Sequence, residues 1–135
     1  MKDFDVQGID LNVSQGKAFA FIADPGQLPK WTKAFSSVTP GRAVMRTPSG
    51  EVEIGLEVEA SPQHGTVDWR MTFPDRSVAT AFSRVVEMDR DRCIFSFVLT
   101  PPPVPLEKLE GALKAQSRTL ARELKKLKGI LEQHG

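Results

Sequence analysis

The stretch EVEIGLEVEA at positions 51–60 alternates between charged and apolar side chains over its whole length. Glutamate fills the odd positions, with Gly55 as the exception, and the even positions are Val, Ile, Leu, Val and Ala. A period of two predicts a β-strand with one buried face and one face in water. The glutamates also keep the wet face from sticking to other sheets. The stretch therefore predicts an antiparallel sheet with one apolar face to cover.

Short connections rich in turn-forming residues lie on both sides of this strand and beyond it, at positions 47–50, 61–64, 74–77 and 89–92. Proline, glycine and aspartate favour tight turns. If each connection is a four-residue hairpin loop, the flanking residues pair outward from it. The predicted pairs are Met45 with Val52, Val58 with Val67, Leu56 with Trp69, Trp69 with Phe82, Met71 with Thr80, Val86 with Phe95, and Arg84 with Phe97. This register places large apolar side chains on one face of an antiparallel meander.

The N-terminal part of the chain predicts a strand followed by two short helical segments. Residues 3–13 alternate in two opposite phases, and the change of phase at Gly8 predicts a β-bulge. Ser14 is the predicted N-cap of a short helix that ends at residues 24–26. A second helical turn is predicted over residues 28–32, because proline at its second position suits the first turn of a helix.

The C-terminal part predicts an extended connector and one long helix. Residues 100–105 contain four prolines, which exclude both a sheet and a helix interior. Residues 106–133 predict an amphipathic helix, whose apolar stripe consists of Leu106, Leu109, Leu113, Leu120, Leu124, Leu127 and Leu131. Laying this stripe across the meander buries both apolar surfaces and gives an α+β fold. The space between them is either a cavity or a core filled by large side chains.

The composition limits the classes of function. The chain has 135 residues, 40% hydrophobic and 26% charged, with a net charge of +1, which is typical of one globular domain. It has no apolar run near the ~20 residues of a membrane-spanning helix and no leader-like start, so we expect a cytoplasmic protein without a membrane span. One cysteine, two histidines and no tyrosine leave few groups for metal binding or acid–base chemistry. We expect no cofactor, no metal and no nucleic-acid partner.

The order of predicted elements resembles the START-like helix-grip superfamily, also called SRPBCC. The resemblance rests on FAFIADP at 19–25, Leu28-Pro29 with Trp31, GTVDW at 65–69, and ELKKLK at 123–128. It covers nearly the whole chain and implies one domain over residues 1–135, with a curved antiparallel meander wrapped around a long C-terminal helix. The superfamily includes polyketide cyclases, lipid-transfer domains and many uncharacterised bacterial proteins. The resemblance implies a hydrophobic pocket between sheet and helix, but it does not identify the ligand.

The predicted ligand-binding residues of such a pocket are Trp31, Trp69, Met71, Thr80, Phe82, Arg84, Phe97, Gln116 and Leu120. The predicted register turns Arg84 inward, where a charge without a partner is costly. Arg84 then either binds a carboxylate or polar oxygen of the ligand, or reaches water or a protein carboxylate at the rim. Gln116 interrupts the leucine stripe and hydrogen-bonds either a ligand or a backbone carbonyl. No catalytic residue is predicted.

Three hypotheses of function follow from this pattern. The first is the binding of a hydrophobic or lipid-like small molecule between sheet and helix. The second is a cyclase- or dehydratase-like enzyme in which Arg84, Gln116 and Thr80 orient a carbonyl-bearing substrate. It is disfavoured because the predicted inward positions supply no pair of titratable groups. The third is a protein-interaction module with a solid core and no ligand, of which a homodimer through the outer sheet face or the helix is one form.

Overall fold

Seven antiparallel strands and three α-helices make up the part of the chain that the computed structural model describes, residues 4–47, 50–100 and 106–133. The elements are β1 (Asp5–Leu11), α1 (Gln15–Ala23), α2 (Leu28–Trp31), β2 (Phe35–Thr39), β3 (Arg42–Thr47), β4 (Gly50–Ser61), β5 (Thr66–Thr72), β6 (Val78–Asp89), β7 (Arg92–Leu99) and α3 (Leu106–Gln133). A 3-10 turn, Pro25–Gln27, joins α1 to α2. Among these residues, no helix has both the length and the apolarity to cross a membrane.

The strands form one curved sheet in the order β1-β7-β6-β5-β4-β3-β2, which brings the first strand beside the last. The long helix α3 lies along β1 and against α2. Among its described side chains, the buried ones are Leu120, Leu124, Leu127 and Leu131, the second half of the predicted stripe. The predicted α+β helix-grip fold is thus confirmed. The proline connector at 101–105 and the side chains of Leu106, Leu109 and Leu113 lie outside the described residues.

The helical segments after β1 begin where the sequence predicts. Ser14 caps α1, and its hydroxyl accepts a hydrogen bond from the Lys17 backbone N–H at 3.2 Å. The next segment, α2, carries a proline in its first turn. Its C-cap is Thr32, whose backbone N–H and side-chain hydroxyl both donate to the Leu28 carbonyl. These bonds fix the position of Trp31, the last residue of α2.

The predicted β-bulge at Gly8 is wrong, because β1 pairs with β7 in one unbroken register from Asp5 to Leu11. The inward positions at the start of β1 are polar. The Gln7 amide donates to the Ser117 carbonyl at 2.9 Å, and the Ser117 hydroxyl donates to the Asp5 carboxylate at 2.7 Å. The apparent change of phase in the sequence arises because Val6 lies on the exposed outer face.

The strand β2 is an element that the sequence analysis did not predict. It forms a hairpin with β3 through a two-residue turn, Pro40-Gly41, in which Gly41 has a φ of +76°. Proline followed by glycine suits the central positions of a tight turn, since glycine adopts positive φ without strain. On the other side of β3, the predicted pairing of Met45 with Val52 is confirmed.

The pairing of β4 with β5 differs from the prediction by two residues. Val58 lies opposite Trp69, and Leu56 lies opposite Met71. The four-residue turn occupies positions 62–65 instead of 61–64. Because a shift of two preserves the alternation of a strand, the same side chains still face inward.

The faces of β6 are inverted relative to the prediction. The connection from β5 has five residues, 73–77, because Thr72 pairs with Val78. An odd change in loop length turns every side chain of a strand to the other face. Trp69 and Met71 therefore lie opposite alanines 81 and 79, and the predicted partners Phe82 and Thr80 are each displaced by one position.

The pairing of β6 with β7 changes in the same way. Phe95 lies opposite Val85 instead of Val86, and Arg84 lies opposite Ser96 instead of Phe97. The hairpin closes with a two-residue turn between Asp89 and Arg92, which keeps the predicted register at the turn itself. A register shift between Glu87 and Asp89 then displaces the rest of β6 by one residue.

Candidate functional site

A cavity of about 480 Å³ lies between the sheet and the middle of α3. The sequence analysis left open whether large side chains fill this space, and the structure shows a cavity there. Its apolar lining comes from α2, five strands and α3: Leu28, Trp31, Ala34, Phe35, Met45, Trp69, Met71, Phe73, Ala79, Ala81, Phe97, Leu99, Ala115 and Leu120.

The inverted register of β6 is what leaves this space open. Small side chains, Ala79 and Ala81, lie across from Met71 and Trp69 on the inner face. The predicted register would have put Phe82 at that place, but Phe82 is 44% exposed on the outer face. The inner face of β6 thus carries two methyl groups at this place, and larger side chains there would reduce the volume of the cavity.

Four aromatic rings pack against one another, and three of them, Trp31, Trp69 and Phe97, form an aromatic wall of the cavity. Trp31 contacts Trp69 and Phe95 edge to face, with ring centroids 6.4 and 6.2 Å apart. Trp69 is stacked on Phe97 at 5.7 Å with an interplanar angle of 26°. Such pairs add about 0.5–1.5 kcal/mol each to the burial of the rings. The wall is therefore a rigid surface against which a flat or chain-like apolar molecule can pack.

The two indole N–H groups of this wall have no hydrogen-bond acceptor among the described residues. Trp31 is 2% exposed and Trp69 4% exposed, so water does not compensate for the missing acceptors. A buried donor without a partner costs about 1–3 kcal/mol. The two N–H groups are therefore unpaired donors enclosed by the packing around the rings.

Polar side chains surround the opening of the cavity, and we call them the polar rim: Thr32, Lys33, Arg46, Gln116, Thr119 and Glu123. One Glu123 carboxylate oxygen accepts a hydrogen bond from the Lys33 backbone N–H at 2.5 Å. Burial raises the pKa of the Glu123 carboxyl above its usual range, although this hydrogen bond and the charges of Lys33 and Lys126 act in the opposite direction. The Arg46 guanidinium donates to the Lys33 carbonyl at 3.0 Å. Lys33, Arg46 and Glu123 are therefore one connected group.

Seven of the nine residues predicted to bind the ligand line this cavity: Trp31, Trp69, Met71, Thr80, Phe97, Gln116 and Leu120. Thr80 lies at its edge, since the register pairs it with the exposed Arg70. Gln116 is exposed on the polar rim and does not point into the core. Their roles in ligand binding stay predictions.

Phe82 and Arg84 do not line the cavity, and the prediction that they face inward is wrong. The five-residue connection before β6 turns both to the outer face. Arg84 is exposed, and its Nε donates to the His64 carbonyl at 3.2 Å. Its charge is therefore solvated, and it needs no ligand carboxylate to compensate for burial.

The sequence analysis missed the three charged residues of the polar rim. Glu123 could have been found, because it follows Leu120 by three residues and Gln116 by seven, which puts it on the same helix face. Lys33 and Arg46 gave no such signal, since they approach each other only through the unpredicted hairpin of β2 and β3. Glu123 adds one titratable carboxyl group to the cavity lining, which the sequence analysis did not include among the site residues.

Comparisons with solved structures identify the fold. A START superfamily protein from Mycobacterium smegmatis matches with a TM-score of 0.74 and 14% identity, over 99% of this chain and 100% of that chain. The Zhui aromatase/cyclase from Streptomyces sp. R1128 matches with a TM-score of 0.67 and 11% identity, over 96% of this chain and 93% of that chain.

A third match is a norcoclaurine synthase from Thalictrum flavum in complex with dopamine and hydroxybenzaldehyde. Its TM-score is 0.69 at 15% identity, over 98% of this chain and 87% of that chain. No family model matches the sequence, and no curated protein matches it either. The protein therefore has the START-like helix-grip fold of the SRPBCC type.

Proposed function

We propose that the protein binds a hydrophobic or lipid-like small molecule in the cavity between the sheet and α3. The observation that carries the proposal is the cavity itself, about 480 Å³ in volume, with a largely apolar wall and a polar rim. Small-molecule sites typically have volumes of about 300–1,000 Å³, apolar walls and a few polar groups. Two proteins with the same fold, an aromatase/cyclase and a norcoclaurine synthase in complex with small aromatic molecules, support this function by analogy.

A cavity-filling variant tests the proposal. The substitution Ala79→Phe adds a ring to the inner face of β6, where Ala79 lines the cavity opposite Met71. Binding of 1-anilinonaphthalene-8-sulfonate and of decanol is measured by calorimetry. We expect saturable binding to the wild type and a loss of at least about tenfold in the variant, because the added ring occupies the volume of the ligand.

Arg84→Ala is the matched control, since Arg84 lies exposed on the outer face of the same strand. We expect it to bind both probes like the wild type. Circular dichroism and thermal unfolding establish that both variants are folded. Equal affinities of the folded Ala79→Phe variant and the wild type would place binding elsewhere and contradict the proposal.

A cyclase- or dehydratase-like activity is the second candidate, and Glu123 is the observation that favours it. This carboxyl lines the cavity, and burial raises its pKa, which suits a group that exchanges protons with a substrate. Turnover of a linear poly-β-carbonyl compound by the wild type, lost in Glu123→Gln, would support the activity. Binding of such a compound without turnover would leave only the binding function.

A further inference from the structure

We propose that the ligand carries a carboxylate at one end, and that Lys33 and Arg46 bind this carboxylate at the polar rim. This inference rests on the proposed function, because it names the class of ligand for the same cavity. The apolar body of the ligand then packs against Trp69, Phe97 and the alanines of β6.

The first argument is the balance of donors and acceptors around the cavity. The hydroxyls of Thr32 and Thr100 donate to the carbonyls of Leu28 and Thr80, each at 2.9 Å. Among the other polar side chains that line the cavity, Thr80, Gln116 and Thr119 can both donate and accept, whereas Lys33 and Arg46 can only donate. A carboxylate is a pure acceptor with two oxygens, so it matches this excess of donors better than an alcohol or an amine does.

The second argument is the way the two cations are held. The Arg46 backbone N–H donates to the Ala34 carbonyl at 2.7 Å, and its guanidinium donates to the Lys33 carbonyl. These bonds tether Arg46 to the segment that carries Lys33. Among the described ion pairs, none involves either side chain. The remaining N–H groups of the guanidinium and the ammonium group are therefore open to a ligand, and a planar guanidinium suits a carboxylate.

The third argument is the sum of charges at this end of the cavity. Lys33, Arg46 and Lys126 are cationic, and Lys126 lies close enough to Glu123 to influence its ionisation. Among the described residues that line the cavity, Glu123 supplies the one carboxyl group, and Glu51 is the cross-strand neighbour of Arg46. The Glu123 carboxylate already accepts the Lys33 backbone N–H. The cations are in excess, so the field at the rim favours an anion.

The test compares three ligands with the same apolar chain: decanoate, decanol and decylamine. Calorimetry at neutral pH gives their affinities for the wild type, for Lys33→Gln/Arg46→Gln, and for Lys30→Gln/Lys125→Gln. The last variant is the matched control, because it also removes two cations, and both residues are exposed and do not line the cavity.

We expect the wild type to bind decanoate about tenfold more tightly than decanol, and decylamine more weakly than either. The Lys33→Gln/Arg46→Gln variant should lose the preference for decanoate and keep its affinity for decanol. The control should keep the preference. Added salt should reduce the preference in the wild type, because the two cations are exposed at the rim.

Each failure has a separate meaning. Equal affinities for decanoate and decanol in the wild type would overturn the carboxylate inference and leave the proposed function standing. Tighter binding of decylamine would also overturn it and would point to Glu123 as the recognition group. Failure of all three ligands and of 1-anilinonaphthalene-8-sulfonate to bind would contradict both the inference and the proposed function.

Discussion

The indole rings of Trp31 and Trp69 meet edge to face with their centroids 6.4 Å apart, and both rings line the cavity between the sheet and α3. Trp31 is supplied by α2 and Trp69 by β5, so the contact joins a short helix to the middle of the sheet. The same two side chains thus hold α2 in place and form a wall of the proposed binding site.

Truncation of Trp31 should destabilise the whole fold. The side chain is almost fully buried and contacts the rings of Trp69 and Phe95. We expect Trp31→Ala to lower the free energy of unfolding by about 3–5 kcal/mol, because it leaves a large cavity. Urea unfolding monitored by circular dichroism measures the change. The milder Trp31→Phe variant should lose less of the free energy of unfolding. A loss of this free energy below about 1 kcal/mol in Trp31→Ala would contradict the packing around Trp31.

The stability of the protein should depend on the ionisation of Glu123. Burial raises the pKa of this carboxyl above its ordinary value of 4.5, so the folded protein holds a proton that the unfolded chain releases. The contribution of Glu123 to stability is therefore largest at low pH, and it falls as the pH rises from 4.5 through the raised pKa.

The substitution Glu123→Gln removes this ionisation, and the amide oxygen can still accept the Lys33 backbone N–H. We expect the variant to gain stability relative to the wild type as the pH increases across that window. Thermal unfolding of both proteins over a pH series measures the difference. A difference that stays constant with pH, or that grows towards low pH, would contradict the raised pKa.

Gly65 should be intolerant of any side chain. It has a φ of +72°, and a Cβ atom at this position would clash with the Val85 backbone oxygen. The Gly65 carbonyl also accepts a hydrogen bond from the Val85 backbone N–H at 2.8 Å, so the two segments cannot separate without breaking this bond. We expect Gly65→Ala to cost more than the ~1–3 kcal/mol of a strained backbone position.

Gly129 is the matched control for that substitution. It lies in α3, where a Cβ atom would meet no other atom within 4 Å, and its φ is not positive. Gly129→Ala should stabilise the protein by up to about 1 kcal/mol, since alanine favours a helix. Equal effects of the two substitutions in chemical unfolding would contradict the close approach at Gly65.

Cys93 should be unreactive in the folded protein. The residue has no exposed surface, and burial raises the pKa of its thiol, so the nucleophilic thiolate is scarce. It is also the chain's one cysteine, which makes any thiol signal unambiguous. We expect its reaction with a disulfide reagent to follow the unfolding transition in urea. Rapid labelling without denaturant would show that the end of the sheet near Cys93 opens.

The sequence predicts the order and type of most elements, because alternation in β4 and leucine spacing in α3 are long, regular signals. The register of β6 could not be derived in this way. It depends on one extra loop residue between Thr72 and Val78, where Arg76 adopts a φ of +74°. Periodicity alone does not distinguish a four-residue from a five-residue connection.

The site is predictable only in part for the same reason. Trp69 and Phe97 can be placed on the cavity wall from their strands, and Trp31 from the family resemblance. The assumption of a four-residue connection before β6 turns Arg84 towards the pocket and Ala81 away from it. A small residue such as Ala81 also gives no signal of a cavity. The charged group of Lys33, Arg46 and Glu123 forms only through tertiary contacts, and the pattern of a single sequence does not reveal such contacts.

The most direct test of the binding function uses the indole N–H groups of the chain's two tryptophans. Both side chains line the cavity, so a ¹H–¹⁵N spectrum contains two indole signals that report on its occupancy. During titration with decanoate we expect both signals to shift saturably in the wild type and to stay in place in the folded Ala79→Phe variant. Saturable binding of decanoate by calorimetry with both indole signals unmoved would contradict a ligand site between the sheet and α3.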